Sequence, residues 1–151
     1  MSKPEAALLV PFAATLTVRD TCLCLHVQRA ARALARHFDE VMRTIGLTHG
    51  QFSLMMALNR PEPAGLGAVA ALLAMDRTTL TAALKPLERR GLVAVSPDPK
   101  DRRGRRLTLT PTGLALLAKA LPLWDGAHAA VEGRMPEGEP ERIRAGLRAL
   151  A

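Results

Sequence analysis

Between Asp76 and Pro111 the chain changes its hydrophobic period twice, and few folds accommodate that order. Asp76 is a good N-cap, and in the "RTTLTAALKPLERRG" that follows it Leu80, Leu84 and Leu87 recur in steps of four and three. Arg77, Thr78, Thr81 and Lys85 share the opposite face of that helix, and Pro86, which lacks an N–H, predicts a kink. Gly91 supplies a stop, after which "LVAVS" (Leu92 to Ser96) reads as a strand. Beyond the turn residues Pro97, Asp98 and Pro99, "RRLTLT" alternates Leu107 and Leu109 inward with Arg106, Thr108 and Thr110 outward. Thr110 and Pro111 then form the N-cap and first position of another helix. The segment is helix, hairpin, helix.

The stretch before it completes a motif. "LGAVAALLAM" (Leu66 to Met75) reads as a short apolar helix, and two short helices joined by a tight turn make a helix-turn-helix. With the hairpin appended, the expected module is a winged helix. Upstream, Thr48 and Gln51 have capping-box spacing, Phe52, Met55, Met56 and Leu58 are the expected core face, and "RPEPAG" (Arg60 to Gly65) reads as a loop. From a cap at Asp20 or Thr21, apolar residues at Leu23, Val27, Ala30, Leu34, Phe38, Val41 and Ile45 mark a long helix that Gly46 ends. Its seam is narrow, as in helices that pack on other helices, including those of a partner chain. After Pro111 the stripe continues through Leu114, Leu117, Leu121, Trp124 and Val131, with a kink expected at Pro122 and a weak point at Gly126. "GRMPEGEP" interrupts it, and a last helix carries Ile143, Leu147 and Leu150. The fold class is mostly α with a small β-hairpin wing. Residues 1–19 are expected to form an arm, 20–46 and 111–151 the flanking helical region, and 47–110 the winged helix.

Charge narrows the partner. The net charge is +7 over 151 residues, and residues 76–110 hold nine basic residues against four acidic ones, most of the excess. Lys100, Arg102, Arg103, Arg105 and Arg106 crowd the hairpin tip around Gly104. Such a concentration favours a polyanion, and with no Tyr, one Trp and three Phe the chain is poorly supplied for stacking on single-stranded bases. Double-stranded DNA is the expected partner. Arg77 is placed to read guanine, Thr78, Thr79 and Thr81 to touch phosphate or the thymine methyl, and Lys85 to take phosphate. Arg103 suits a narrow minor groove while Arg102 and Arg105 pair with phosphates. Two cysteines, no apolar run long enough to span a bilayer and no clear signal sequence point to a soluble, cytoplasmic protein without a membrane partner.

"IGLTHGQFSLMMAL" (Ile45 to Leu58), "AVAALLAMDRTTLTAALKPLERRGLV" and "DRRGRRLTLTPTG" (Asp101 to Gly113) together resemble the MarR family of bacterial transcriptional regulators. The wing pattern filled by Asp101, Arg103, Leu109, Thr110 and Gly113 is its most specific element. The resemblance implies a homodimer whose first and last helices intertwine, a recognition helix in the major groove, and a wing arginine in the minor groove. It implies further that Asp101 holds a wing arginine by a charge-assisted hydrogen bond. The function expected is a regulator, a repressor in the first instance, that binds a pseudo-palindromic operator and is released by a small-molecule effector. Half-sites are expected about 10 bp apart.

Two alternatives stand beside it. Cys24 falls where the hydroperoxide-sensing branch of the family keeps a reactive thiol, but Phe38 and His49 replace that branch's tyrosines. The default is therefore a buried structural cysteine, and the alternative a cysteine-switched redox regulator. On one helix Cys22 and Cys24 point apart and cannot share a metal ion, so no metal is expected. The other alternative is a winged helix used for protein contacts without specific DNA binding. Trp124 and the pair Met55 and Met56 read as core before ligand box. With no paired carboxylates, nucleophile elbow or phosphate-binding glycine loop, neither an enzyme nor a cofactor is expected.

Overall fold

The computed structural model describes residues 9–151. The chain divides into two units, the first ending at Arg36 and the second running from His37 to Ala151.

In the first unit, α1 spans Phe12–Thr21 and α2 spans Leu23–Met42, reaching into the second unit. Residues 12–19 of the expected arm are therefore helical, and its residues 1–8 lie outside the described residues. Sequence periodicity missed α1 because its apolar residues do not gather on one face, and it buries none of them within the chain. Thr17 and Thr21 turn their hydroxyls back onto the carbonyls of Ala13 and Thr17. Asp20 pairs with Arg19 at 2.6 Å instead of capping α2, and Cys22, in extended conformation, separates the two helices.

The second unit holds the core. A 3-10 turn at Arg43–Ile45 finishes the long helix, and Gly46 closes it at φ 72°, a left-handed conformation that suits glycine. Thr48 caps α3 (His49–Leu58), its hydroxyl accepting the Gln51 N–H while Gln51 returns a bond to the Thr48 N–H. Phe52, Leu54, Met55, Ala57 and Leu58 are buried, whereas Met56, expected inside, is 38% exposed. Likewise only Met42 of α2 is fully buried, one residue off the expected stripe.

A short strand β1 (Ala64–Gly65) replaces part of the expected loop. It is followed by α4 (Leu66–Leu72), α5 (Arg77–Arg89), β2 (Val93–Pro97), β3 (Arg105–Leu109), α6 (Pro111–Glu132) and α7 (Glu139–Arg148). The sheet has order β1-β3-β2, antiparallel throughout, with Ala64 opposite Leu107 and Val95 opposite Leu107 on the other side. Leu107, Leu80, Leu87 and Val69 are among the fully buried side chains, so the hairpin and both short helices share one core. The α4–α5 turn comes earlier than expected, because Ala74 adopts φ 50° with no glycine to announce it. Helix α5 continues through Pro86 and α6 through Pro122 without interruption.

Where β2 meets α6 the backbones nearly touch. Thr110 accepts the Gly113 N–H at 3.0 Å and donates its hydroxyl to the Gly91 carbonyl at 2.5 Å, while its own N–H reaches the Leu92 carbonyl at 3.1 Å. A Cβ at position 113 would fall inside the van der Waals envelope of the Leu92 carbonyl oxygen and 3.0 Å from its carbon. Gly113→Ala is accordingly expected to destabilise the protein by about 3 kcal/mol, the upper range for forced overpacking, measured by urea unfolding.

Candidate nucleic-acid interface

Two elements carry the exposed cations, and the fold ties them together. Helices α4 and α5 turn through 103°, within the range of a helix-turn-helix pair. The α5 start is fixed by Asp76, which accepts the Thr79 N–H at 2.8 Å and the Thr79 hydroxyl at 2.6 Å. Those bonds, the hydroxyl first, hold the Asp76 carboxyl below its usual range. Leu80, Leu84 and Leu87 anchor the inner face, leaving Arg77, Thr78, Thr79, Thr81 and Lys85 exposed.

These side chains are not equally free. Thr79 spends its hydroxyl proton on the cap, and Thr81 donates to the Arg77 carbonyl at 2.7 Å, so both present methyl groups and acceptor lone pairs outward. The Arg77 guanidinium lies against Gly67 of α4, its Nη2 3.1 Å from where a Cβ would stand. Sequence reading missed Gly67. The approach of the Arg77 side chain, made only in the tertiary fold, leaves little room for a side chain there unless the guanidinium shifts.

In the wing, the loop from Asp98 to Gly104 is closed by backbone bonds, Asp98 N–H to the Gly104 carbonyl at 3.1 Å and Gly104 N–H to the Asp101 carbonyl at 2.9 Å. A Cβ on Gly104 would come within 3.1 Å of the Asp98 Cβ and 3.2 Å of the Asp101 oxygen. The expected role of Asp101 needs correction: its carboxylate accepts the Arg103 backbone N–H at 3.0 Å, shaping the tip, instead of gripping an arginine side chain. The ion pair inside the wing is Asp98 with Arg106, at 3.3 Å and half-buried. Arg106 is thereby turned onto the hairpin, while Arg102, Arg103 and Arg105 remain exposed. Strand β1, immediately before α4, pairs with β3, so the wing and the helix pair are stitched by sheet hydrogen bonds.

Beside this lobe a cavity of about 290 Å³ is lined by Phe38, Met42, His49, Phe52, Ser53, Trp124 and His128. Trp124 stacks between Phe52 (centroids 6.2 Å apart) and His128 (4.7 Å). Asp39 accepts both the His49 N–H at 2.7 Å and its Nδ1 at 2.9 Å, and this contact, the backbone bond first, lowers the Asp39 pKa. A neighbouring groove of about 430 Å³ shares Phe52, Ser53 and Trp124 and adds Met56, Leu72 and Leu121. Trp124 packs on the core, as expected, and also walls both spaces; Met56 belongs to the groove.

Cys24, taken by default for a buried residue, is exposed, with Gln28 Nε2 donating to its sulfur at 3.1 Å, and Cys22 is half-buried. Among the described residues no group of three or more His, Cys, Asp or Glu is arranged to hold a metal. No single helix among them is long and apolar enough to cross a membrane.

A helix-turn-helix pair stitched to a three-stranded wing, with the second helix and the hairpin tip both basic, defines a winged-helix protein. The MarR family model matches residues 47–104, from the start of α3 to the wing tip. The chain is 35% identical over 94 residues to the transcriptional activatory protein BadR of Rhodopseudomonas palustris, covering 60% of this chain and 54% of that protein. It thus spans little more than half the length of that relative. Among solved structures it is similar to the Mycobacterium tuberculosis transcriptional regulator MOSR in complex with DNA (36% identity, 85% and 92% of the two chains, TM-score 0.78). It is also similar to BpsR of Bordetella bronchiseptica, whose DNA binding is regulated by 6-hydroxynicotinic acid (29% identity, 86% and 93%, TM-score 0.77). The chain belongs to the MarR family.

Because the folded Asp76 and Asp39 pKa values lie below their unfolded ones, the stability these groups contribute is present above the ordinary aspartate value of about 3.9 and lost as pH falls below it. Melting temperature is therefore expected to drop through that acid window. Asp76→Asn, which keeps a capping acceptor but cannot titrate, should have the shallower drop.

Proposed function

We propose that the protein is a DNA-binding transcriptional regulator that acts as a homodimer on a pseudo-palindromic operator, repressing by occupancy and released by a small molecule. One observation carries this reading: the exposed face of α5 and the tip of the wing are basic and belong to elements joined through one core and one sheet. Arg77, Thr78, Thr81 and Lys85 enter the major groove, Thr79 caps the helix that carries them, and Arg103 reaches the minor groove with Arg102 and Arg105 on phosphates. Asp101 presets the backbone on which Arg103 stands.

The dimer follows from apolar side chains the single chain leaves uncovered. Ile143, Leu147 and Leu150 at the C-terminal end and Leu114 and Leu121 on α6 are exposed, and a partner chain's helices would cover them. That MOSR was crystallised with DNA supports the partner. BadR is named an activatory protein, so the direction of regulation is read out directly, by reporter expression with and without the gene. Anisotropy against DNA upstream of the gene should give selective binding with a steep negative salt slope. Arg103→Ala is expected to weaken it roughly tenfold and to reduce the slope by about 1 if the arginine contacts phosphate. Equal binding to any duplex, unaffected by the mutation, overturns the reading in favour of a protein-interaction module.

The cavity walled by Trp124 and His128 is the proposed seat of the effector, a ligand that prefers the non-binding arrangement of the dimer. Trp124 is the only tryptophan, so intrinsic fluorescence should shift when a releasing molecule enters, and Trp124→Phe should abolish the signal while retaining operator binding. The exposed thiol of Cys24 favours a second reading in which oxidation releases the DNA. In that case Cys24→Ser keeps operator binding but no longer responds to a hydroperoxide.

A further inference from the structure

The C-terminal end of α5 is a junction of three elements. Gly91 presents its carbonyl to the Thr110 hydroxyl and Leu92 its carbonyl to the Thr110 N–H, and with the close approach of Gly113 these fix the start of α6. Immediately before them, Arg90 sends its side chain 44 residues back along the chain and donates from Nη1 to the Gly46 carbonyl at 2.8 Å. Gly46 is the left-handed cap on which the turn after α2 ends. Its carbonyl is one of those that a helix end leaves without an intrahelical partner, and a guanidinium is well suited to it by charge as well as by hydrogen bonding.

The two attachments differ in stiffness. The Thr110 joint is backbone against backbone, with no room for a Cβ, and cannot adjust without breaking the wing base. The Arg90 contact is a single exposed side chain that can lengthen, swing or let go. We infer that Arg90 is the positioning residue that holds the recognition helix against the end of α2 and so sets which half-site spacing the dimer accepts. This rests on the proposed operator-binding dimer. In that dimer the position of each recognition helix relative to its own flanking helices fixes the distance between the two helices, and half-sites out of phase are penalised.

Neighbouring Arg89, exposed on the same turn of α5, provides the control, since its loss removes the same charge without touching Gly46. The experiment uses full-length protein and duplexes carrying two copies of a selected half-site. Their separation is stepped one base pair at a time to either side of about 10 bp, with affinity for an isolated half-site measured in parallel. Arg90→Ala is expected to keep the half-site affinity of Arg89→Ala but to flatten the spacing preference by about fivefold, the usual weight of one intramolecular hydrogen bond. Arg90→Lys, which can restore one bond, should recover part of the preference, and it serves as the test variant if Arg90→Ala melts below the assay temperature.

A preference unchanged in the Arg90 variants, or flattened equally by Arg89→Ala, overturns the inference, as does wild-type protein that binds the half-site but ignores spacing. Wild-type protein that binds no duplex selectively overturns the functional reading instead.

Discussion

The close approach of Gly113 to the Leu92 carbonyl is the contact on which the arrangement of the lobe depends. Four features meet there: the left-handed Gly91 that ends α5, the first residues of β2, the Thr110 cap, and the proline-started helix α6. Each is a local signal of ordinary strength, yet they are satisfied by the same few atoms. Thr110 alone serves as N-cap to α6 and as donor to the carbonyl just beyond α5. A chain that met any one of these conditions elsewhere would leave carbonyls at the end of α5 without partners in a region close to the core.

From that joint outward, charge and rigidity are separated. Buried Leu80, Leu84, Leu87 and Leu107 hold α5 and β3 to one core, and polar groups near the surface do the fine shaping. Asp76 sets the start of α5, Asp98 folds Arg106 back, and Asp101 bends the tip backbone. Three of the four acidic residues among the cations of residues 76–110 thus fix geometry, and Arg102, Arg103 and Arg105 stay exposed.

The winged helix was legible because its signals are local. Asp76, Gly91, the Leu107/Leu109 alternation and Thr110–Pro111 each depend on residues only a few positions apart, and all lie where the structure has them. What escaped were features made by distant neighbours. Strand β1 is two residues long and exists only because β3 lies beside it; Gly67 matters only because Arg77 crosses it. The α4–α5 turn is hard to see in the sequence because an alanine, not a glycine, takes the positive φ. At the wing, spacing alone does not show that the Asp98 carboxylate reaches Arg106 while Asp101 turns to the Arg103 backbone N–H, because both contacts depend on how the loop closes.

The sheet order also bears on how the protein behaves in a crowded solution. β3 lies in the middle, so the strand that bears Arg105 and Leu107 has both edges occupied, and the sheet's open edges belong to β1 and β2. The first is only two residues long, and the second ends in Pro97, which has no N–H to offer a neighbouring chain. Short edges and an edge proline are the means by which β-proteins avoid recruiting one another into extended sheets. A wing so bounded is a poor template for further strands and can project from the surface without seeding aggregation.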